Sequence, residues 1–89
     1  MISRELLIVN KLGLHARAAS HLVKVASGFA SRVTLERAGA SANAKSIMGL
    51  MLLAAAKGHT VTVTADGPDE REALAAVEAL VCDRFHEEQ

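Results

Sequence analysis

Aromatic residues, cysteine and proline are scarce in this sequence. The 89 residues include two phenylalanines, no tryptophan or tyrosine, one cysteine and one proline. Because proteins that bind single-stranded nucleic acid commonly stack bases on aromatic side chains, the composition argues against that class of protein. The single cysteine, Cys82, excludes a disulfide within the chain and fits a reducing compartment. Half of the residues are apolar, so we expect one small domain over residues 1–89 with an aliphatic core.

Long apolar runs are also missing. The longest run, residues 47–56, is interrupted only by Gly49 and is too short for a membrane-spanning helix, which needs about 20 residues. Charged residues stand at positions 4 and 5, ahead of a short apolar run, which is unlike a signal peptide. We therefore expect a cytoplasmic protein that does not insert into a membrane.

Neither sign of charge is in excess over the whole chain, but the distribution is uneven. The formal net charge is zero, so general attraction to nucleic acid or to an anionic membrane is not expected. Residues 1–45 carry seven Lys or Arg and two Asp or Glu, whereas residues 46–89 carry three and eight. A basic face from the first half suits an acidic protein partner or a phosphate, and an ordinary solvated surface is the alternative.

The apolar pattern predicts elements in the order βαββαβα. We predict strands over residues 5–10, 32–37, 40–43 and 60–65, and helices over residues 16–27, 47–57 and 71–85. The signals for turns and helix ends are Gly28, Gly39, Ser46, Lys57-Gly58 and Asp69. A short antiparallel sheet with the helices packed on one face is the α+β arrangement that buries such apolar faces.

The spacing of apolar residues also predicts which side chains share a face. In the first strand Leu7 and Val9 lie on one face. The residues expected to face inward elsewhere are Ala19, Leu22, Val23, Ala26, Phe29, Val33, Leu35, Leu50, Leu53, Ala73, Leu74, Val77, Leu80 and Val81. A lone cysteine on the apolar edge of the last helix is expected to be buried.

A lone histidine, His15, stands where the first helix is predicted to begin, two residues before Arg17. The N–H groups and the positive dipole end of a helix favour an anion there, and they disfavour the imidazolium ion. A phosphoryl group on His15 would be held by the N–H groups of Ala16, Arg17 and Ala18 and by the Arg17 guanidinium. The pattern therefore predicts a phosphorylatable histidine. By position alone, a helix-terminal residue without chemistry is the alternative.

The second motif is Lys45-Ser46-Ile47-Met48-Gly49-Leu50-Met51, in which Ser46 is well suited to cap a short helix. If Leu50 and Leu53 face the sheet, then Ile47, Met48 and Met51 face outward. Exposed methionines adapt to several unrelated partners, although core packing is the alternative. We assign Ile47, Met48, Met51, Leu14, Lys24 and Lys45 to a partner-binding surface.

The two motifs together resemble HPr, the histidine-containing phosphocarrier family of the bacterial phosphoenolpyruvate phosphotransferase system. The resemblance extends over essentially the whole chain, from the first strand into the last helix. It implies an open-faced β-sandwich, in which a four-stranded antiparallel sheet is covered on one face by three helices. The family usually has proline after the arginine, where this chain has Ala18.

The resemblance implies a function for each motif. Enzyme I would phosphorylate Nδ1 of His15, Arg17 would steady the phosphohistidine, and an enzyme IIA domain would receive the phosphoryl group. Ser46 matches the serine that HPr kinase/phosphorylase phosphorylates in bacteria that have that enzyme, although an ordinary helix cap is the alternative. The family implies a carrier on which other enzymes act, and we expect a monomer without a cofactor or metal.

Three other interpretations stay open at this point. One is the nitrogen-related paralogue of the family, NPr, which shares the histidine chemistry but serves regulation. Another is a regulatory domain that docks through Ile47, Met48 and Met51 without phosphoryl transfer. The third is a metal-binding module using Cys82 and His86, which are four residues apart on a predicted helix. Neither a P-loop nor a nucleotide-binding glycine fingerprint occurs, so ATP binding is not expected.

Overall fold

A computed structural model describes residues 1–53 and 55–86 of the chain, and it has the predicted α+β architecture. The elements are β1 (Ile2–Leu7), α1 (Ala16–Ala26), β2 (Arg32–Arg37), β3 (Ala40–Asn43), α2 (Ile47–Leu52), β4 (Thr60–Asp66), α3 (Glu70–Cys82) and a short 3₁₀ helix (Arg84–His86). The order βαββαβα is therefore confirmed. No helix in these two ranges is long and apolar enough to cross a membrane.

The four strands form one antiparallel sheet in the order β1-β4-β2-β3. Strand β4 lies inside the sheet, paired with β1 on one side and β2 on the other, and its alternating Thr and Val residues give it one apolar face. Its Val61, Val63 and Ala65 are fully buried, while the threonines between them face the other side. The buried face of the sheet is thus the one that the helices cover.

The three α-helices cover that face and enclose an aliphatic core. Helix α3 packs against β1 and β4, and α1 packs against both α2 and α3. The predicted inward residues of α3 and of β2 are all buried. In α1 the prediction is also correct for Ala19, Leu22 and Ala26, and Val23 is only half-buried.

The first strand differs from its prediction in position and in the face it buries. It runs over Ile2–Leu7 rather than residues 5–10, because β4 pairs with it from Ile2 onward. Leu6 and Ile8 enter the core, whereas Leu7 is 53% exposed. The apolar run Leu6–Val9 has no polar residue to mark its inner face, so the sequence pattern alone is ambiguous there.

Three helix ends also differ from their predictions, since α3 ends at Cys82 rather than at residue 85 and α1 and α2 end early as well. Helix α1 ends at Ala26 with Ser27 as its cap in right-handed conformation, so Gly28 is not a left-handed cap. Helix α2 ends at Leu52, well before Lys57. At that end the Leu53 N–H donates to the carbonyls of both Gly49 and Leu50. The Leu53 carbonyl in turn accepts from Arg37 Nε at 3.1 Å. The carbonyl of Leu53, just beyond the last helical residue, is therefore satisfied by a side chain from β2 rather than by further helix.

The C-terminal part of the described chain folds back on the core. Helix α3 ends at Cys82, and Arg84 and Phe85 adopt positive φ angles of 54° and 55°. This turn buries Phe85 to 1% exposure, between α1 and α3. Cys82 is exposed, so the expectation that it is buried was wrong, because the apolar stripe of α3 runs through other positions.

Candidate functional site

His15 is the N-cap residue of α1. Its backbone is extended, with φ −80° and ψ −178°, and its carbonyl accepts the first helical hydrogen bond from Ala19 N at 2.8 Å. Its half-buried imidazole turns back over the helix end, where Nδ1 accepts a hydrogen bond from the Arg17 N–H at 3.2 Å. A histidine thus occupies a position at which a side-chain acceptor normally caps the helix.

The N–H groups of Ala16, Arg17 and Ala18 precede that first helical bond, so no carbonyl within the helix accepts from them. These are the three amides that the sequence predicted as donors. They lie at the positive end of the helix dipole, and the middle one, the Arg17 N–H, donates to His15 Nδ1. Ala16 and Arg17 are exposed, and the Ala18 side chain is buried in the core.

The loop before His15 is shaped by contacts that sequence reasoning missed. The buried Asn10 donates from Nδ2 to the Gly13 carbonyl at 2.7 Å, and Gly13 N donates to the Asn10 carbonyl at 3.2 Å. Gly13 has a φ of +65°, and a Cβ there would lie 2.5 Å from the Ala55 carbonyl oxygen. Leu14 N donates to that same oxygen at 2.8 Å. The sequence signals Asn10 only as the polar residue that follows the apolar run 6–9, and it gives no signal for Ala55.

Ser46 caps α2 as predicted. Its Oγ accepts from Gly49 N at 3.1 Å, and its carbonyl accepts from Leu50 N at 3.0 Å. The Ser46 side chain is half-buried. A half-buried hydroxyl thus stands at the N-terminus of α2.

Helix α2 presents an apolar outer surface. Ile47, Met48 and Met51 are exposed, with Met48 71% exposed, while Leu50 and Leu53 are buried, as predicted. Leu52, which the sequence analysis did not single out, is 79% exposed. We refer to Ile47, Met48, Met51 and Leu52 as the α2 surface.

The other residues assigned to partner binding are placed differently. Leu14 is only 4% exposed, so its side chain belongs to the core and cannot contribute a docking surface. Lys24 is exposed in the last turn of α1, about 13 Å along the helix from His15 at 1.5 Å per residue. Lys45 is exposed and its Nζ donates to the Phe29 carbonyl at 2.9 Å. Lys24 and the imidazole therefore lie near opposite ends of α1.

The metal hypothesis finds no partner groups in the described residues. Within residues 1–53 and 55–86, no three His, Cys, Asp or Glu side chains converge in a way that would hold a metal ion. Cys82 is exposed and forms no disulfide, and the side chain of His86 lies outside the described part of the structure. Two residues four apart on a helix do not complete a tetrahedral zinc site.

Comparison with known proteins identifies the family to which this site belongs. A family model for the HPr component phosphorylation site of the phosphotransferase system, PTS, matches residues 2–83. The chain belongs to the HPr phosphocarrier family. The phosphocarrier protein HPr of Cupriavidus necator is 53% identical over 87 residues and is covered over 98% of both chains. The HPr of Xylella fastidiosa is 50% identical over 88 residues, with 99% of both chains covered.

Solved structures of HPr proteins have the same fold. The crystal structure of HPr-C-His from Thermoanaerobacter tengcongensis matches with a TM-score of 0.96 and 43% identity over the whole of both chains. An HPr dimer from that organism matches with a TM-score of 0.79 and 42% identity, covering 98% of this chain and 100% of the other. Because that HPr is described as a dimer, the monomeric state of the present chain stays a prediction.

Proposed function

We propose that His15 accepts a phosphoryl group on Nδ1 from enzyme I charged by phosphoenolpyruvate and passes it to enzyme IIA domains. The observation that carries this proposal is the position of Nδ1 at the N-terminus of α1, 3.2 Å from the Arg17 N–H. Membership of the HPr family supports it. In this proposal the protein is a cytoplasmic carrier, and the partner enzymes supply the catalysis.

The geometry of the imidazole supports this transfer. An imidazole that accepts a hydrogen bond at Nδ1 is neutral and carries its proton on Nε2, so the Nδ1 lone pair is available as a nucleophile. That lone pair forms the new N–P bond while the bond between phosphorus and the donor nitrogen of enzyme I breaks, and the donor keeps the electron pair. Transfer to the IIA domain is the same exchange, with His15 as the leaving group.

The helix end stabilises the charge that arrives with the phosphoryl group. When Nδ1 is phosphorylated it no longer accepts from the Arg17 N–H, and that N–H then donates to a phosphoryl oxygen, together with those of Ala16 and Ala18. The exposed Arg17 guanidinium adds a charge-assisted donor. The alanine at position 18 keeps an N–H that the usual proline lacks, so this chain offers one more backbone donor.

Ser46 gives the proposed carrier a second modification site. A phosphate on its Oγ adds close to two negative charges at the N-terminus of α2, where the helix dipole favours them. The same charge stands next to Ile47 and Met48 of the α2 surface. We propose that HPr kinase/phosphorylase modifies Ser46 in hosts that have it, and that the added charge slows the reaction with enzyme I by repelling an acidic partner.

The experiment that tests the carrier function is labelling from phosphoenolpyruvate with purified enzyme I. We expect wild type to take up one phosphate that is labile in acid and stable in alkali, and His15→Ala to take up none. His21→Ala, which changes another half-buried histidine on α1, is the matched control and should be labelled like wild type. An unlabelled wild type, with enzyme I shown to be active on another carrier, would contradict the proposal and favour a docking-only domain.

A further inference from the structure

The peptide that leads into His15 rests on a second loop, residues 55–59, which lies between α2 and β4. Leu14 N donates to the Ala55 carbonyl at 2.8 Å. The backbones of Gly13 and of residues 55–56 are in such close contact that no Cβ fits at Gly13. At the other end of the loop, Ile8 N donates to the His59 carbonyl and Gly58 N donates to the Ile8 carbonyl, each at 2.9 Å. The position of His15 therefore depends on the conformation of residues 55 and 56.

His59 holds that conformation at both polar groups of Ala56. The His59 Nδ1 accepts from Ala56 N at 3.0 Å, and the His59 N–H donates to the Ala56 carbonyl at 2.9 Å. Ala56 belongs to neither a helix nor a strand, so no helical or ladder hydrogen bond replaces these two. The imidazole is half-buried, and its loss would leave the Ala56 N–H without this acceptor.

We propose that His59 is a positioning residue for phosphoryl acceptance at His15, acting through the chain Ala56, Ala55 and Leu14. The inference rests on the carrier function proposed above. His59 does not touch the reacting atoms in this scheme, and its role is to keep the loop under Leu14 in one conformation. The Nδ1 atom of His15 then stays aligned with the amides of α1 between successive reactions.

The role requires a particular protonation state of the imidazole. To accept from Ala56 N, His59 must be neutral at Nδ1 and carry its proton on Nε2. An asparagine places Oδ1 two bonds beyond Cβ, as histidine places Nδ1, and that oxygen accepts a hydrogen bond. His59→Asn should therefore retain the loop, while His59→Ala removes the acceptor. Thr60→Ala, which alters the adjacent exposed residue at the start of β4, is the matched control.

Nuclear magnetic resonance tests the structural step without any phosphorylation. The nitrogen shifts of the wild-type imidazole should show an unprotonated Nδ1, and the opposite tautomer would overturn the proposal. We expect the Leu14 N–H to exchange with solvent about two- to tenfold faster in His59→Ala, the factor for one ordinary hydrogen bond. Exchange at Val63 in the core should not change, and His59→Asn and Thr60→Ala should match wild type at both positions.

Steady-state transfer from enzyme I tests the functional step. His59→Ala should lower kcat about two- to tenfold with an unchanged KM for the carrier, because the α2 surface is intact while His15 is less well placed. His59→Asn should restore kcat.

A labelled wild type with an unchanged kcat in His59→Ala would overturn the positioning role alone, and a wild type without label would overturn the carrier function as well. If His59→Ala fails to fold, a His59→Asn variant with reduced kcat and a shifted Leu14 amide would also overturn it.

Discussion

At the scale of single residues, Arg17 contributes two separate groups to the proposed site. Its N–H donates to His15 Nδ1, and its side chain, which carries the guanidinium, is exposed. Arg17→Ala removes only the guanidinium, so we expect the rate of phosphoryl transfer from enzyme I to fall about 10- to 100-fold, the range for one charge-assisted hydrogen bond. The rate of Arg17→Lys should lie between those of wild type and Arg17→Ala, because lysine keeps the charge but not the planar guanidinium. Rapid-quench labelling measures the rates.

The control for this prediction is Arg71→Ala, which removes an exposed arginine from α3. It should react like wild type, since it lowers the positive charge of the molecule by the same amount without touching the helix end. Equal rates for Arg17→Ala and wild type would mean that the guanidinium does not contact the transferred group.

Asp69 is a second residue whose role the structure changes. The sequence predicted a cap for α3, but its carboxylate forms no cap and instead accepts from Ser31 Oγ, Ala30 N and Ser31 N. These hydrogen bonds, first that of Ser31 Oγ and then that of Ala30 N, hold the pKa of Asp69 below its ordinary value of 3.8. A lowered pKa stabilises the folded state above about pH 4, and this stabilisation is lost as the pH falls through the folded-state pKa.

We therefore expect Asp69→Asn to be less stable than wild type at neutral pH, with a difference that shrinks as the pH is lowered below about 4. Urea unfolding followed by circular dichroism at several pH values measures this difference. Glu72→Gln, which removes one charge from the same first turn of α3, is the control and should show a smaller dependence. A difference between wild type and Asp69→Asn that is independent of pH would show that the charge of Asp69 is not involved.

At the scale of elements, the cap of α2 separates two effects of Ser46. The helix has six residues, so the hydrogen bond from Gly49 N to Ser46 Oγ is a large part of what fixes its start. Ser46→Ala should lower the free energy of unfolding by about 1 kcal/mol, whereas Ser46→Asn and Ser46→Asp supply replacement caps. Of the three, only Ser46→Asp should react more slowly with enzyme I, because only it adds charge. Equal slowing by Ser46→Asn would assign the effect to the helix cap.

The same elements show how far the sequence predicts the structure. Strand β2 and β3 match their predictions residue for residue, because Val33 and Leu35 alternate with polar neighbours and Gly39 marks the turn. The predicted position of β1 was wrong, because its run of four apolar residues does not alternate with polar ones and its register is set by pairing with β4. Helix α2 was predicted too long because the groups that end it, among them Arg37, come from a strand distant in the chain. Such long-range contacts leave no local signal.

The candidate site divides in the same way. His15, Arg17 and the three amides follow from one local motif, so the sequence places them correctly at the start of α1. The loop that supports these residues could not be predicted, because Ala55 and His59 lie some forty residues away in the sequence. Ala55 contacts the site through its backbone carbonyl, and the His59 side chain holds the neighbouring Ala56. Leu14 illustrates the limit, since this neighbour of His15 was expected on the surface and is buried.

At the scale of the whole molecule, the core is aliphatic except at its C-terminal end. Phe85 is 1% exposed and packs in the space between α1 and α3, where the positive-φ turn after α3 directs it. The other aromatic residue, Phe29, is half-buried at the margin of the core. The Phe85 side chain therefore packs between α1, which begins after His15, and α3.

We expect Phe85→Ala to lower the free energy of unfolding by about 3–5 kcal/mol, the usual cost of deleting a fully buried phenylalanine, and Phe29→Ala to cost less. Urea unfolding must be followed by circular dichroism, because the chain has no tryptophan or tyrosine to serve as a fluorescent probe. Labelling of His15 should persist in folded Phe85→Ala at low temperature, since the hydrogen bonds at the start of α1 and the one from Leu14 N to the Ala55 carbonyl do not involve Phe85. Equal costs for the two phenylalanines would mean that the turn after α3 is not part of the cooperative core. Loss of labelling in the folded variant would mean that the site depends on how α1 is seated against α3.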